Sequence, residues 1–267
     1  MTDLQDEAMR VERDVVVYRA FLGQNRAQVV LDEIAEDTPH TALQAVRLLA
    51  RAQLGEEEAV AEELRRLAET PAGANPTLQL AAALVHERAG RLEEALRAAN
   101  GAKGLLEGRG LMVGLYARLW RWGEAEKELR SMVREEEDAV CTVLAGARLA
   151  LAMGGAKRAQ EAVGALEELQ EKLGATALTL ALAGQCSLVV GRLDEAEAAL
   201  KQSLQRDANC VSALYALHLV LLRQGKHQPA ARALAQAKAS PQGPSHLAFL
   251  AEADQAFDAA AAAAAAK

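Results

Sequence analysis

Aromatic side chains are almost missing from this chain, at 3% of its 267 residues. Runs of valine, isoleucine, threonine and aromatics that would favour strands are equally scarce, while alanine and leucine dominate the apolar 51%. An all-α protein is the simplest reading of that balance. Positive charge is also short, with 30 Lys and Arg against 37 Asp and Glu and a formal net charge of -7. Phosphate neutralisation needs clustered cations, so a broad nucleic-acid-binding face is excluded, and the acidity serves solubility. The three cysteines, Cys141, Cys186 and Cys210, are far apart and form no C-x-x-C, which argues against a zinc site or a disulfide framework. They read as small apolar residues of a reducing compartment. No charged and apolar leader opens the chain, so no secretory signal is visible.

Long hydrophobic runs are absent with one exception. The uncharged stretch from Leu173 to Gly191 approaches the length of a membrane span. It contains Thr176, Thr179, Gln185, Ser187 and three glycines, and it keeps step with an internal repeat, so it reads as repeat sequence rather than as a span. Catalytic patterns are missing too. Histidines at 40, 86, 218, 227 and 246 make no H-E-x-x-H and pair with no carboxylate at ligand spacing. His86 and His218 fall on first helices and read as packing or groove residues. The glycines at 101 and 104, and at 154 and 155, follow no buried strand and complete no phosphate loop. No G-x-S-x-G appears, and no cysteine has an evident histidine partner. The expectation is a protein with no catalytic residue, no metal site and no cofactor.

What is present is a period. Gly191-Arg192-Leu193 with Ala196 and Leu200 returns as Gly225-Lys226-His227 with Ala230 and Leu234, each landmark displaced by 34 residues. That spacing, with small residues at fixed offsets, is the signature of the tetratricopeptide unit, two antiparallel helices joined by a tight turn. With the turn glycine at position 15, Gly184 stands at position 8 and Ala196 at position 20, where two backbones must approach closely. The following unit places His218 at position 8 and is a weaker copy.

The repeat extends in both directions. Val15, Tyr18 and Leu22, then Val29, Val30 and Ile34, flank Gly23-Gln24-Asn25 as helix, turn and helix. Asp37-Thr38-Pro39-His40 ends that hairpin. Glu56 to Glu58, Glu93-Glu94 and Asp194-Glu195 each open a second helix, where carboxylates oppose the positive end of the helix dipole. Thr70 to Pro76 reads as a loop between units, and Asn100 to Gly114, with five glycines, as the least regular part. The small residue at position 20 is expected at Val30, Val60, Ala95, Ala125, Ala162, Ala196 and Ala230. The pattern predicts a curved superhelix, an α-solenoid of tetratricopeptide-like hairpins, over residues 1–257 as a single domain. A last helix starts at Ser245, and an alanine-rich helical tail, 258–267, follows it.

A solenoid of this kind leaves a concave groove lined by first-helix positions 2, 5, 9 and 12. These are Leu178, Ala181, Gln185 and Leu188 in one unit and Ser212, Tyr215, Leu219 and Leu222 in the next. The lining is apolar and nearly uncharged, which suits a helix or hairpin of a protein partner better than a charged peptide terminus. A soluble co-chaperone adaptor reading an acidic terminus is the alternative. It needs Lys, Arg and Asn on several first helices, whereas Asn25, Asn75, Asn100 and Asn209 fall in turns or between units. An enzyme on helical hairpins, such as a prenyltransferase-like subunit, would need carboxylate, His and Cys ligands that are missing.

From Val11 to Ile34, VERDVVVYRAFLGQNRAQVVLDEI resembles the epsilon subunit of coatomer, the COPI vesicle coat. The likeness continues in LQAVRLLA at Leu43 to Ala50, in AEKELRSM at Ala125 to Met132, in LALAMGGAKRAQEA at Leu149 to Ala162, and up to Asp207. The resemblance implies a non-enzymatic coat subunit that binds the C-terminal domain of the alpha subunit, with the repeats curving around a segment of it. It implies indirect contact with other coatomer subunits and a part in Golgi-to-ER retrograde and intra-Golgi transport. It further implies a cytoplasmic protein, peripheral on the cytosolic side of Golgi membranes and COPI vesicles through the coat alone. Members usually carry a further aromatic-rich hairpin ahead of the segment matched by Val11, where this sequence has ten residues, and a more mixed ending than the alanine run.

Overall fold

The computed structural model describes residues 2–240, Gly243 and 247–265, and among them every regular element is helical. First helices α1 (Thr2–Gly23), α3 (Thr41–Gln53), α5 (Pro76–Arg88), α7 (Leu106–Arg118), α9 (Val140–Met153), α11 (Ala177–Val190) and α13 (Val211–Arg223) alternate with second helices. The second helices are α2 (Ala27–Glu33), α4 (Glu57–Ala68), α6 (Leu92–Gly101), α8 (Trp122–Glu136), α10 (Ala156–Leu173), α12 (Leu193–Arg206) and α14 (His227–Ala239). A closing helix, here α15 (Ala248–Ala265), follows. The contacts fall into two compact units, Met1–Ala145 and Gly146–Lys267.

Several expectations change in detail. α1 runs unbroken from Thr2, since no glycine or proline interrupts the helix formers Leu4, Gln5, Glu7, Ala8 and Met9. The proline-rich break at Thr70 is built, not loose. A 3-10 turn, Pro71–Ala74, leads into Asn75, whose Oδ1 accepts from Thr77 N at 2.9 Å and Leu78 N at 3.3 Å to cap α5, with Pro76 in its first turn. The glycine-rich stretch after Asn100 is helical from Leu106, because its glycines permit close approach: a Cβ at Gly108 would lie 2.5 Å from Ala102 O. α15 runs without a break through residues 257 and 258, so the alanine-rich tail is the far end of that helix. Ser245, His246 and Lys267 lie outside the described residues.

Each hairpin is held at one point. The fourth residue of every second helix, Val30, Val60, Ala95, Ala125, Ala159, Ala196 and Ala230, is fully buried. In the fifth hairpin this is Ala159, not the expected Ala162, which retains 8% exposure. The displacement of three residues arises because α10 is 18 residues long, about one turn more than α12 at 14. Opposite Ala196, a Cβ on Gly184 would stand 2.6 Å from Leu200 Cγ and 3.2 Å from Ala196 O, so the backbones of α11 and α12 meet only because that side chain is absent. His218 fills the same place in the next hairpin with its ring against α14, where Nδ1 lies 2.9 Å from Ala230 O. One charged pair joins this packing: Arg109 Nε on α7 donates to Glu128 Oε1 on α8 at 2.6 Å, and both side chains are about nine-tenths buried.

The turn inside each hairpin repeats as well. Positive φ reverses the chain between first and second helices at Asn25, Gly55, Gly90, Trp120, Gly191 and Gly225, and at both Gly154 and Gly155 in the fifth hairpin. Five hairpins use glycine and one asparagine, which tolerate this left-handed region. Trp120, at φ 59° and 78% exposed, does not fit that rule. Its ring meets Trp122 edge to face, 5.5 Å between centroids.

Neighbouring turns are laced together. Arg91 pairs with Glu58, Arg118 with Glu87 at 3.3 Å, and Lys226 with Glu197 at 3.0 Å, while Gln224 donates to Asp194 at 3.3 Å. The acidic starts of second helices therefore face the dipole, as expected, and also receive the basic or amide side chain of the next turn. Glu197 is the most enclosed of these carboxylates, at 13% side-chain exposure. Lys201 at 2.6 Å and then Lys226 hold its carboxyl down to about 2.

Two outcomes follow for stability. Replacing Trp120 with glycine relieves roughly 1–2 kcal/mol of left-handed strain, against about 0.5–1.5 kcal/mol of lost ring contact and about 0.4–1 kcal/mol of added freedom in the unfolded chain. Urea melts of Trp120→Gly should thus match the parent within about 1 kcal/mol. Because the folded pKa of Glu197 lies below its unfolded value of 4.5, its contribution is complete above that pH and fades as pH falls towards 2. Glu197→Gln should be less stable than the parent at pH 6, and most of the gap should be gone at pH 2.5 in urea melts run at both.

Candidate partner-binding surface

Within each unit, successive first helices touch: α1 with α3, α3 with α5, α5 with α7, and α11 with α13. No two successive second helices pack comparably among the described residues, so the first-helix layer is the tighter, inner one in each unit. In the first unit this inner side is bridged. Arg19 on α1 donates to Glu107 on α7 at 2.8 Å, a link across 88 residues that no periodicity in the sequence announces.

In the second unit the inner side is open and apolar. Leu178 on α11 and Leu222 on α13 are 41% and 40% exposed. Gln185, Ser212, Tyr215 and Leu219 are half-buried. Gln185 Nε2 donates to Ser212 O at 3.4 Å and ties the two helices across the surface. Ala181 and Leu188 belong elsewhere: both are buried in one cluster with Ala213, Ala216, Leu217 and Val220. α13 lies over that flank of α11, so a partner could not reach either residue. The accessible stripe on α11 is Leu178, Gln185 and Val189, rotated slightly from the expected one. All four expected positions on α13 keep some exposure. Leu247 and Leu250 approach Tyr215 from the C-terminal side.

Sequence reasoning missed Val189 and also Leu173, which is 68% exposed at the end of the lengthened α10. The extra turn of α10 was hidden by the choice of Ala162 over Ala159 as the contact residue.

The remaining polar groups serve packing. His86 is buried, its Nδ1 3.4 Å from Glu94, and burial lowers its pKa. Burial likewise pushes the Cys186 thiol up to about 11, away from the reactive thiolate. A cavity of about 470 Å³ in the first unit is lined by Lys103, Arg109, Ser131, Glu135 and neighbours. Arg109 is already engaged there by Glu128 and Glu135. Among the described residues no group of His, Cys, Asp and Glu could hold a metal ion, and no helix is long and apolar enough to cross a membrane.

Stacked helical hairpins define a helical-repeat protein. Solved structures agree on the fold. A tetratricopeptide repeat protein from Parabacteroides merdae superposes with a TM-score of 0.63 at 14% identity, over 86% of this chain and 93% of that one. The APC/C hetero-tetramer Cut9-Hcn1 gives 0.61 at 17% identity, over 80% and 42%. The family model of the coatomer epsilon subunit matches residues 1–265. Coatomer subunit epsilon-1 of Oryza sativa subsp. japonica is 34% identical over 88% of this chain and 80% of its own length, and coatomer subunit epsilon-2 of Arabidopsis thaliana 35% identical over 86% and 78%. The chain belongs to the coatomer epsilon subunit family, the subunits of the COPI coat.

The division between buried and open positions is directly measurable. Ala181→Leu should overpack the α11–α13 contact and lower stability by about 1–3 kcal/mol. Leu222→Ser, at a surface position, should change it by no more than about 0.5 kcal/mol. Urea midpoints of the two variants decide the matter.

Proposed function

We propose that this chain is a non-catalytic coat subunit that binds the C-terminal domain of the coatomer alpha subunit through the open first-helix surface of its second unit. In that role it supports Golgi-to-ER retrograde and intra-Golgi transport. It reaches Golgi membranes and COPI vesicles from the cytosol through the coat alone, with indirect contacts to the other coatomer subunits. The observation that carries this reading is the pairing of Leu178 and Leu222, both two-fifths exposed, with half-buried Gln185, Tyr215 and Leu219 on two adjacent helices. Exposed leucines on a rigid surface are stabilised when a partner covers them, each fully buried side chain contributing roughly 1.5–3 kcal/mol. Membership of the epsilon family supports the choice of partner.

No observation favours the co-chaperone reading. Asn25 forms a turn, Asn75 caps α5, Asn100 ends α6 and Asn209 donates from its backbone to Asp207 in a loop, so none arms a first helix.

Gel filtration of the chain with the C-terminal domain of alpha should give one co-eluting complex at micromolar concentration. The double variant Leu178→Asp, Leu222→Asp should bind at least about tenfold more weakly, a loss near 1.4 kcal/mol, with an unchanged melting temperature. Separate elution of the parent proteins would overturn the assignment.

A further inference from the structure

The first unit carries one contact that helix packing does not account for. α1 packs on α2 and α3, and α7 on α5, α6 and α8, so two first helices stand between α1 and α7 in the inner layer. Arg19 and Glu107 nonetheless meet at 2.8 Å, and theirs is the one ion pair that joins α1 to α7 among the described residues. The inner layer of this unit is therefore bent until its first and fourth members face one another, and two side chains span the gap that is left.

The span is a single bar. The positions three and seven residues beyond Glu107 share its face of α7, and they are Gly110 and Gly114, which have no side chain to reach across beside it. A Cβ on Gly114 would meet no other atom within 4 Å, so the space in front of that face is unfilled. The bar is also weak. Its side chains are 31% and 42% exposed, and partly exposed pairs favour contact by no more than about fivefold. Exposed side chains change rotamer within picoseconds to nanoseconds, so the pair breaks and reforms without movement of the helices.

We propose that Arg19 and Glu107 form a reversible clasp, which closes the inner side of the first unit when paired and opens it when the two side chains swing apart. The clasp makes the two units unequal. Entry to the inner side of the first depends on salt and on the charge of two residues, whereas Leu178 and Leu222 of the second stand exposed. The clasp is a property of the unbound chain and is independent of the partner proposed above.

The chain holds its own reporter. Cys141 lies beside that face of α7, its carbonyl oxygen 3.6 Å from where a Cβ of Gly110 would stand, one turn from Glu107. Burial and then the Glu107 carboxylate push its thiol up, while Arg19 pulls it down. Alkylation of the full chain by the uncharged reagent iodoacetamide, followed at Cys141 by peptide mass spectrometry, separates opening from a change of charge. Arg19→Met and Glu107→Met keep side-chain bulk and remove the pair, so both should speed alkylation of Cys141 by about two- to sixfold, the inverse of the open fraction in the parent. A purely electrostatic effect would slow the reaction in Arg19→Met and speed it in Glu107→Met. Raising salt from about 0.05 to about 1 M should speed the parent towards the rate of Glu107→Met, since the screening length falls to about 3 Å. Cys210, in the second unit, is the internal control and should react at the parent rate in both variants. Circular dichroism verifies that each variant is folded. Slower reaction in Arg19→Met, unchanged rates in both variants, a parent rate insensitive to salt, or equal acceleration at Cys210 would each overturn the proposal.

Discussion

Everything in this structure depends on how closely two helical backbones can approach. The contact is made at the fourth residue of each second helix, where a side chain no larger than valine is fully buried in all seven hairpins. Large residues then fill the space around it: Leu200 and Val220 near Ala196 and Ala230, Met112 and Leu115 near Ala95. Dispersion contacts are individually weak, so a helix held further away would forfeit most of them together. With aromatic residues so few, close approach is the main means this sequence has of building a dense interior.

Much of that arrangement was legible in the sequence because it is periodic. The alternation of helices, the turn glycines and most of the small contact residues follow from spacing alone. What escaped was departure from the period. The extra turn of α10 moved the contact to Ala159, an error invisible while two alanines stood three residues apart on one helix. Ala181 and Leu188 occupy positions that face a groove in an average repeat, yet here α13 covers them. Burial depends on how far the next helix is rotated, and one helix's sequence does not encode its neighbour's rotation. The Arg19–Glu107 link joins residues whose proximity depends on the cumulative bend of four first helices.

The two layers divide the work. First helices of the second unit leave leucines uncovered on the inner side, while second helices turn charge outward and hold the turns of adjacent hairpins together through pairs such as Lys226 with Glu197. Exposed pairs of this kind contribute only about 0.2–1 kcal/mol each. Their value lies in fixing how one hairpin sits on the next, and so in keeping the inner leucines at a constant separation.

The buried contact between Arg109 and Glu128 acts as an alignment pin. Were α8 to slide along α7 by one helical turn, about 5.4 Å, small apolar residues would still meet small apolar residues over much of the interface. In the direction that carries Met132 into the place of Glu128, the guanidinium would lose that carboxylate, a mismatch costing about 3–5 kcal/mol. A smooth seam of alanines tolerates many offsets, and an ionic key bars some of them.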